Sequence, residues 1–439
     1  MNIKTDSRKV KEGDTFIDIK YKNDGHNYIE DAIKNGAKKI VCEHGLYSVD
    51  TLIVKDTHEY LVNYLKENYY DKISDLKLIA ITGTNGKTTS CYLISQLLNK
   101  SKVKCGYIGT IGFYIDEKIR DLNNTTPDIL DMYEMLLECK EKGCKYVVLE
   151  ASSHSLDQNR LKGLLFDYAI FTNLTEDHLD YHKTMEKYAK AKQILFNMIK
   201  DDGKAIVNID SEYKDYFIVK DKTITYGIKD SDYKISNIKI EKDGTSFNLN
   251  DKTYKTKLIG KYNVYNITIC IIIMNLLKLD NIISELNPPK GRMQKIENNN
   301  NLIIIDYAHT PDAVENVLKT VKELKYDNIY TIIGCGGDRD KFKRKIMGEI
   351  SIKLSDYVIF TSDNPRGENP TDIINDMIED IKSDNYEIIE NRESAIIRGI
   401  QLMKKSDILL VLGKGHEEYQ IIGNKKYDFS DEKIIRDNI

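Results

Sequence analysis

The sequence lacks any long block of charges of one sign and carries little net charge. Its 65 lysines and arginines are nearly balanced by 69 aspartates and glutamates, which leaves a formal net charge of −4. Binding to nucleic acid or to an anionic membrane through bulk electrostatics needs a marked basic excess. We therefore expect a protein that binds neither nucleic acid nor a membrane surface.

Membrane-spanning and secretory segments are missing as well. The longest apolar run, residues 267–277, falls well short of the roughly 20 residues that a membrane helix needs, and it fits a buried helix instead. The N-terminal stretch MNIKTDSRKVKEGD is polar and lacks the apolar core of a signal peptide. We expect a cytoplasmic protein.

The seven cysteines are odd in number, scattered, and never spaced as a C-x-x-C pair. This pattern excludes a zinc knuckle and a disulfide framework, and it is typical of reduced thiols in a cytosolic chain. The cysteines are Cys42, Cys91, Cys105, Cys139, Cys144, Cys270 and Cys335.

At 439 residues the chain exceeds what one hydrophobic core usually supports. Hydrophobic residues make up 41% and charged residues 31%, as in an ordinary globular protein, so several folded domains are expected. No internal repeat is present, and the ENNNN tract at residues 297–301 is the one low-complexity segment. Domain boundaries therefore rest on the pattern of predicted strands and helices.

Three regions differ in that pattern. Residues 1–75 carry short strands and one helix, YIEDAIKNGAKKIVC, enough for a small α/β lobe. From residue 76 to about 287, the strands KLIAIT, YVVLE, YAIFTN and AIVNID alternate with helices, one of them over residues 185–199. Residues 288–439 repeat the alternation with NLIIID, IYTIIG, YVIFT, EIIE and ILLVLG. We predict an α/β protein with parallel, doubly wound sheets.

The segment GTNGKTT, residues 83–89, follows the strand LIAIT and precedes a helix. Two residues separate its glycines, where the usual phosphate loop G-x-x-x-x-G-K-[ST] has four. A plain strand-to-helix turn also uses Gly and Asn, but no turn type requires Lys87 and Thr88 at the first helical turn. We interpret the segment as a phosphate cradle, in which backbone N–H groups and Lys87 hold phosphates and a hydroxyl binds Mg²⁺.

Two further polar stretches follow predicted strands of the central region. VLEASSHSLDQNR places Glu150 at a strand end, and FTNLTEDHLDYH does the same for Asp177, His178, Asp180 and His182. Alone, each is an ordinary loop acid or a structural histidine. Together, a carboxylate and an imidazole at the edge that carries the phosphate loop are able to hold a metal ion between ATP and a second substrate.

Lys192 occupies an unusual position on the helix predicted over residues 185–199. At 100° per residue Lys190 points away, whereas Lys192 falls within the apolar stripe of Tyr188, Ala191, Leu195, Met198 and Ile199. Such a lysine either extends to solvent, the common case, or is desolvated with a lowered pKa. In the second case its neutral amine is able to react.

In the third region, four polar motifs directly follow predicted strands. They are DYAHTPD (306–312), GCGGDRD (334–340), SDNPRGE (362–368) and GKGHEEYQ (413–420). Open α/β sheets bind ligands at the carboxyl ends of their strands. With Arg339 and Arg366 available to bind carboxylates through two hydrogen bonds, these motifs predict a site for an anionic small molecule.

Together and in this order, the motifs resemble those of the Mur ligases, the ATP-dependent amino-acid-adding enzymes of peptidoglycan synthesis. The resemblance covers essentially the whole chain, and GTNGKTT matches the family's short ATP loop. It is closest to the members that add the third amino acid. It implies a small N-terminal α/β lobe that binds the UDP-sugar (1–75), a central doubly wound P-loop ATPase-like domain that binds ATP (76–287), and a C-terminal Rossmann-like domain that binds the amino acid (288–439).

The resemblance also implies a catalytic group of Lys87, Glu150, His178 and Lys192. In this group Lys87 contacts the transferred phosphate, and Thr88, Glu150 and His178 bind magnesium. Lys192 is carbamylated by CO₂ and binds a second Mg²⁺. The implied ATP contacts are Gly83, Thr84, Asn85, Gly86, Lys87, Thr88, Thr89, Asp306 and His309.

Other matched positions are implied to bind the two remaining substrates. NTTPD, SSHSLDQNR and TDSRKVKEGDTFI are similar to segments that hold the nucleotide-sugar peptide, and they implicate Ser7, Thr125, Thr126, Ser152, Gln158 and Arg160. DNPR is the pattern associated with meso-diaminopimelate, whose extra carboxylate Arg366 would bind and lysine lacks. The implied amino-acid pocket comprises Arg339, Asp363, Asn364, Pro365, Arg366, Gly413 and Glu417.

The implied reaction joins meso-diaminopimelate to the D-Glu side-chain carboxylate of UDP-MurNAc-L-Ala-D-Glu through an acyl phosphate. ATP, two Mg²⁺ ions and the carbamate on Lys192 are the expected cofactors, and we expect a monomer. Three alternatives stay open: the same reaction with lysine or another diamino acid, a folylpolyglutamate synthetase-like ligase, and a nucleotide-binding module without catalysis. Glu150, His178 and Lys192 together disfavour the last one, because a nucleotide switch needs no second metal site.

Overall fold

The computed structural model describes residues 1–20, 24–298 and 301–439. Two asparagines of the ENNNN tract, Asn299 and Asn300, lie outside the described residues. By their contacts the described residues divide into two units. The first consists of Met1–Thr82, Lys102–Ala169 and Ala191–Lys204, and the second of Gly83–Ser101, Ile170–Lys190 and Ala205–Ile439.

The N-terminal region forms a small parallel sheet with strand order β1-β2-β3-β4. Its elements are β1 (Ile3–Lys4), β2 (Thr15–Ile17), α1 (Ile29–Lys34), β3 (Lys39–Cys42), β4 (Asp50–Ile53) and α2 (Thr57–Ile73). The prediction of a single helix here was wrong. KIVC is the buried strand β3, which its β-branched residues favour, and α2 begins where the Asp56 carboxylate accepts a hydrogen bond from the Glu59 N–H at 2.8 Å.

Strands and helices alternate through the central region, as predicted. The elements are β5 (Lys77–Thr82), α3 (Lys87–Lys100), β6 (Cys105–Gly109), β7 (Gly112–Ile115), β8 (Glu117–Arg120), α4 (Ile129–Glu141), β9 (Tyr146–Glu150), α5 (Ser153–Asp157), β10 (Phe166–Phe171), α6 (Leu179–His182), α7 (Met185–Gln193) and β11 (Ile199–Asn208). In the first unit β5, β9 and β6 pair in parallel, and β6, β7 and β8 continue as an antiparallel ribbon. The parallel strands are apolar and buried along most of their length, which is typical of parallel sheets covered on both faces.

The helix predicted over residues 185–199 ends earlier than expected. α7 stops at Gln193, a 3-10 turn covers Ile194–Met198, and β11 begins at Ile199. Tightening to a 3-10 turn is common at the end of an α-helix, and here Leu195 and Phe196 of the turn are both buried. The apolar stripe calculated for a helix over residues 185–199 therefore applies only as far as Gln193, where α7 ends.

The second unit continues from β11 into β12 (Thr223–Gly227), β13 (Tyr233–Glu241), β14 (Gly244–Leu249), β15 (Lys252–Thr256) and α8 (Lys261–Leu276). β11, β12 and β13 pair in parallel, whereas β13, β14 and β15 are antiparallel. α8 carries the longest apolar run and is buried along nearly its whole length, as predicted. In the part of the chain that the structure describes, no helix is long and apolar enough to cross a membrane.

The C-terminal part of the second unit is a six-stranded sheet with order β16-β17-β21-β18-β19-β20. Its elements are β16 (Gln294–Asn298), β17 (Asn301–Asp306), α9 (Pro311–Glu323), β18 (Ile329–Ile333), α10 (Phe342–Leu354), β19 (Tyr357–Phe360), α11 (Pro370–Ile378), β20 (Tyr386–Ile388), α12 (Arg392–Leu402) and β21 (Ile408–Leu412), followed by β22 (Tyr419–Ile422), β23 (Lys425–Asp428) and α13 (Asp431–Asp437). All neighbours in the six-stranded sheet are parallel except β16 and β17. The predicted α/β class is confirmed, and the four polar motifs follow β17, β18, β19 and β21 at one edge of this sheet.

Candidate active site

The segment at residues 83–89 has the backbone of a phosphate-binding loop. Gly83 and Gly86 adopt φ values of +146° and +86°, and α3 begins directly after them at Lys87. A Cβ at Gly83 would lie 1.9 Å from Thr172 Oγ1, and one at Gly86 would lie 2.6 Å from Asn266 Oδ1, so both positions require glycine. Lys87 Nζ donates to the carbonyls of Gly83 and Thr84 at 2.9 and 2.8 Å, so its ammonium lies over the loop. A helix N-terminus with a lysine above it is a ready site for an anion.

Asn85 ties this loop to other parts of the second unit. Its N–H donates to Asn173 Oδ1 at 2.9 Å, and its carbonyl accepts from the Thr172 hydroxyl at 2.6 Å. Its side-chain amide donates at 2.8 Å to Oδ2 of Asp312, which is the last residue of DYAHTPD and lies in the first turn of α9. Asn85 was a predicted site residue, whereas Asn173 and Asp312 were not, although they lie within the quoted motifs FTNLTEDHLDYH and DYAHTPD.

A cavity of about 490 Å³ opens beside the loop, entirely within the second unit. Its lining includes five of the predicted ATP contacts, namely Asn85, Gly86, Thr89, Asp306 and His309. The Asp306 carboxylate accepts hydrogen bonds from the N–H groups of Met293 and Ala308 at 2.7 and 2.8 Å, so it shapes the cavity wall. The lining also contains Arg292, which was not predicted; its Nη2 donates to Thr88 Oγ1 at 3.3 Å and its guanidinium stacks on the Tyr307 ring.

Five charged or titratable groups set the electrostatics near this cavity. Burial alone would raise the pKa of Asp177, but His178, Lys343, His309 and Lys87 together lower it to about 2. Burial and the nearby Lys343 lower the pKa of His309 to about 4. At neutral pH Asp177 is therefore an anion and His309 is neutral.

In the first unit, Glu150 ends β9 with a completely buried carboxylate. Its Oε1 accepts hydrogen bonds from the Tyr107 hydroxyl at 2.6 Å and the Thr110 N–H at 2.8 Å, and its Oε2 accepts from the Thr110 hydroxyl at 3.1 Å. These donors fix the orientation of the carboxylate. Sequence reasoning found Glu150 but neither Tyr107 nor Thr110.

The residues predicted to bind the nucleotide-sugar peptide cluster around the end of β9. The Thr126 hydroxyl donates to the Glu150 carbonyl at 2.6 Å and lies 3.3 Å from Ser152 Oγ. Arg160 donates to the Thr126 carbonyl at 3.2 Å and to Gln158 Oε1 at 2.5 Å, and it pairs with Asp128 at 3.2 Å. The Thr125 hydroxyl lies 3.1 Å from that of Thr110. The structure thus places five of the six predicted residues in one cluster.

The sixth residue, Ser7, lies in the N-terminal region. It begins the 3-10 turn Ser7–Lys9, is buried, and accepts a hydrogen bond at its carbonyl from Asn35 Nδ2 at 2.9 Å. Lys9 of the same turn pairs with Asp131 of α4 at 2.9 Å. This contact fixes the turn against the helix that follows Thr125 and Thr126.

Lys192 is buried, with 1% of its surface exposed. Lys190 of the same helix is exposed and pairs with Glu186 at 2.7 Å. Tyr188, Ala191 and Leu195 of the predicted stripe are buried, whereas Met198 and Ile199, beyond the end of α7, are half-buried. Of the two readings of Lys192 that the sequence left open, the structure supports desolvation over extension into solvent.

His178 is held in a strained backbone conformation at the start of α6. Its φ is +55°, a value that non-glycine residues rarely adopt. Its Nε2 lies 3.4 Å from Asp177 Oδ2, and its ring meets that of Tyr188 edge-on. Strain of this kind concentrates at functional sites.

The predicted amino-acid pocket lies at the carboxyl ends of β19 and β21. Asn364 Nδ2 donates to Glu417 Oε2 at 2.8 Å, and Lys414 Nζ donates to Asn364 Oδ1 and Glu417 Oε2, both at 3.1 Å. A Cβ at Gly413, whose φ is +109°, would lie 2.6 Å from Asp363 Oδ2. Lys414 was missed by sequence reasoning, although it lies within the quoted GKGHEEYQ motif and is completely buried.

Arg366 lies at the rim of this pocket, directly after Pro365, with a φ of +51°. Its Nη1 donates to the carbonyls of Gly337 at 2.9 Å and Asn364 at 3.4 Å. A Cβ at Gly336 would lie 2.8 Å from Arg366 Nη1 and 3.8 Å from Arg339 Cγ, so both predicted arginines flank this glycine. The carboxyl end of β18 and the loop after β19 thus place both arginines next to Gly336.

Arg344 anchors the segment that carries Arg366. Its guanidinium is completely buried and donates to Glu368 at 2.8 and 3.0 Å and to Asp376 at 2.8 Å. The hydrogen bonds from Arg344 to Glu368, with further ones from the Asp338 N–H and Lys341, lower the pKa of the Glu368 carboxyl to about 2. Arg344 was not among the predicted site residues, because its function here is to hold a loop.

The predicted magnesium ligands combine oxygen donors with one imidazole. Within residues 1–20, 24–298 and 301–439, no three His, Cys, Asp or Glu side chains lie together as a metal site. The predicted set needs no such cluster, since Glu150 and His178 are its two members of these types. Glu150 and Thr88 offer the oxygen ligands that Mg²⁺ prefers, and hydrogen bonds orient the Glu150 carboxylate, so these residues suit the ion.

Comparison with known proteins defines the class. "Mur ligase family, catalytic domain" matches residues 1–75, "Mur ligase middle domain" matches 81–274, and "Mur ligase, glutamate ligase domain" matches 291–415. The chain belongs to the Mur ligase family and is an ATP-dependent ligase, which confirms the resemblance read from its motifs.

Individual relatives narrow this class. UDP-N-acetylmuramoyl-L-alanyl-D-glutamate--2,6-diaminopimelate ligase 1 of Clostridium acetobutylicum is 42% identical, over 100% of this chain and 94% of the relative. A solved UDP-N-acetylmuramoyl-L-alanyl-D-glutamate--2,6-diaminopimelate ligase is 34% identical with a TM-score of 0.68, over 100% of this chain and 94% of that one. The MurF ligase of Thermotoga maritima in complex with ADP has a TM-score of 0.67 over 93% of each chain, and its 20% identity shows a shared fold alone.

Proposed function

We propose that this protein joins meso-diaminopimelate to the D-Glu side-chain carboxylate of UDP-MurNAc-L-Ala-D-Glu, with conversion of ATP to ADP and phosphate. One observation carries the proposal. The Asp363-Asn364-Pro365-Arg366 turn is pinned at the end of β19 by Glu417 and Lys414, in a chain 42% identical to a relative whose name specifies 2,6-diaminopimelate. A site built around two arginines and a buried lysine suits an amino acid with two carboxylates.

We assign the cavity beside the phosphate loop to ATP. The nucleoside end would occupy the space between Asp306, His309 and Asn85, and the phosphates would lie on the N-terminus of α3. Lys87 Nζ, which donates to the loop carbonyls, would turn to the transferred phosphate. The neutral His309 adds a hydrogen-bonding group to the wall without adding charge.

The proposed chemistry has two steps. The D-Glu carboxylate attacks the terminal phosphorus of ATP, which forms an acyl phosphate and releases ADP. The uncharged amine of the amino acid then attacks the acyl carbon, phosphate leaves, and the amine proton is lost to solvent. Both steps build negative charge on oxygen, so positioned positive charge rather than a covalent enzyme intermediate is expected to supply catalysis.

Magnesium would supply part of that positive charge. From the match to the family's motifs, we propose Thr88, Glu150 and His178 as ligands, with Lys192 as a carbamate for a second ion. Burial of Lys192 favours its uncharged amine, because moving a charge out of water costs free energy. The amine reacts with CO₂ to form a carbamate and release a proton, which turns this position into an anionic oxygen ligand.

Arg160 and the hydroxyls around it are the proposed contacts of the nucleotide-sugar peptide. The Arg160 guanidinium is oriented by Gln158, Asp128 and the Thr126 carbonyl before any substrate arrives. Preorganised donors of this kind bind anionic groups with little loss of side-chain entropy. Ser7 is the proposed contact of the uridine part, in the N-terminal region.

The proposed reaction also suggests how the chain is divided into domains. We propose three domains, residues 1–75, 76–287 and 288–439, each of which binds one substrate. The family matches at 1–75, 81–274 and 291–415 support these divisions. We also propose that the enzyme acts as a monomer in the cytoplasm, where ATP and nucleotide-sugar precursors are made.

The decisive experiment is ligation by the purified protein. UDP-MurNAc-L-Ala-D-Glu, ATP and Mg²⁺ are supplied with meso-diaminopimelate or L-lysine in parallel reactions, and the product masses are measured, with Lys87→Ala as the inactive control. Product with diaminopimelate and little with lysine is expected. Equal rates with both would refute the assigned amino acid, and no product with either would refute the ligase reaction.

A further inference from the structure

Three of the seven cysteines lie together in the first unit, away from the proposed active site. Cys105 begins β6, Cys139 lies in the last turn of α4, and Cys144 lies between α4 and β9. All three are buried. Cys144 precedes β9 at its amino end, whereas Glu150 lies at the carboxyl end of the same strand.

The end of α4 brings two of these sulfurs into contact. α4 terminates in a Schellman motif: Gly143 has a φ of +80°, its N–H donates to the Lys140 carbonyl at 3.0 Å, and the Cys144 N–H donates to the Cys139 carbonyl at 2.9 Å. A contact between the side chains at the positions of Cys139 and Cys144 frequently accompanies this motif, and here the two thiols form a hydrogen bond. The hydrogen bond between their backbones keeps the two Cα atoms within about 6.8 Å, which lies inside the range of disulfides.

The surroundings hold the Cys139 sulfur in place. A Cβ at Gly106 of β6 would lie 2.5 Å from Cys139 Sγ, so the sulfur rests directly on this glycine. Cys105 Sγ donates to the Gly106 carbonyl at 3.3 Å. The close approach of Gly106 therefore leaves the Cys139 sulfur little room to move towards β6.

Cys144 is the better nucleophile of the pair. A hydrogen bond from Cys139 lowers the pKa of the Cys144 thiol, and Lys104 and Lys142 act in the same direction. Its chain neighbours Gly143 and Lys145 are exposed, so a small reagent reaches this turn once it opens locally.

We propose that Cys139 and Cys144 are a dithiol that small-molecule disulfides oxidise to an intramolecular disulfide. The Cys144 thiolate attacks one sulfur of the reagent, forms a mixed disulfide and releases one thiolate. Cys139 then loses its proton to solvent, and its thiolate attacks Cys144 Sγ and displaces the second reagent thiolate. The protein loses two electrons and two protons, and the reagent disulfide is reduced to two thiols.

The test uses the intact protein and oxidised glutathione. After incubation, the remaining thiols are alkylated in denaturant and counted by mass. We expect the count to fall from seven to five. Trypsin cleaves after Lys140 and Lys142, so the disulfide appears as a cross-linked pair of peptides that reduction separates.

Three variants make the result specific. Cys144→Ser and Cys139→Ala should each keep all six remaining thiols free of intramolecular disulfides, and the second variant should accumulate a mixed disulfide at Cys144. Cys270→Ala removes a buried cysteine of α8 in the other unit, so its count should still fall by two, from six to four. Seven thiols in the oxidised native protein, a cross-link that contains Cys105, or a persistent mixed disulfide in the presence of Cys139 would each overturn the proposal.

Discussion

Tyr107 offers a sharp test of how Glu150 is held. The Tyr107 hydroxyl donates the shortest hydrogen bond to the buried carboxylate, 2.6 Å to Oε1, and Tyr107→Phe removes only this oxygen. A hydrogen bond to a charged group contributes about 1.5–3 kcal/mol. Because Glu150 is completely buried, water does not replace the lost donor. At 1.4 kcal/mol for each factor of ten, the carboxylate should hold Mg²⁺ about 10- to 100-fold more weakly.

The assay is the initial rate of ligation against Mg²⁺ concentration, with all substrates saturating. We expect the half-saturating Mg²⁺ concentration of Tyr107→Phe to rise by about tenfold or more, with much of the maximal rate regained at high Mg²⁺. Tyr133→Phe is the matched control, because the Tyr133 hydroxyl is buried without a hydrogen-bond partner among the described residues. An unchanged Mg²⁺ dependence in Tyr107→Phe would refute the assignment of Glu150 as an oriented metal ligand.

Four further predictions follow from other parts of the structure. Lys192→Ala should abolish ligation, and a short carboxylic acid, but not bicarbonate, should restore it; full activity without additive would refute the carbamate. Arg366→Ala should weaken diaminopimelate binding by about tenfold or more, measured by calorimetry, while UDP-dipeptide binding persists; equal loss of both ligands would refute this role. Asp431→Ala should lower the free energy of unfolding, measured by urea titration, by about 3–5 kcal/mol, because Arg392, which pairs with Asp431 at 2.8 Å, is left buried without its partner. The double variant Arg392→Met and Asp431→Leu should regain most of that stability. The pKa of His309 is about 4 in the folded protein, below its value in the unfolded chain, so the unfolded state binds the proton more readily. The free energy of unfolding should therefore fall as the pH drops from about 6.5 towards 4. His309→Asn should flatten this part of the stability–pH profile, and an unchanged profile would count against a neutral histidine.

Strand positions were predictable where a short apolar run is bounded by polar residues. β5 and β9 coincide residue for residue with KLIAIT and YVVLE, because parallel strands buried on both faces need continuous apolar sequence. The antiparallel ribbons were missed. β13 alternates exposed and partly buried residues in YKISNIKIE, a pattern that becomes a strand only when β14 pairs with it.

Candidate site residues could be named from the sequence when they belonged to a contiguous motif. Lys87, Glu150 and Arg366 each lie in such a segment, at the end of a strand. Tyr107 contacts Glu150 from 43 positions away, and Asp312 contacts Asn85 from 227 positions away. No local pattern contains these pairs, because they meet only through the order of the strands in the sheets.

The sequence by itself determined which chemical groups are available, since it places a glycine-rich loop with Lys87 and Thr88 directly after a strand, an arrangement typical of phosphate binding. It also supplied the DNPR turn with its guanidinium group. The tertiary structure alone decided whether the side chains of Lys192 and His309 are buried and which charge His309 carries. Lys192 was compatible with solvent exposure or with burial, and the structure buries it. His309 is neutral at pH 7 because burial and Lys343, which belongs to α10, lower its pKa to about 4. Charge and reactivity depend on the local dielectric and on nearby charges, and both are set by packing between segments far apart in the sequence.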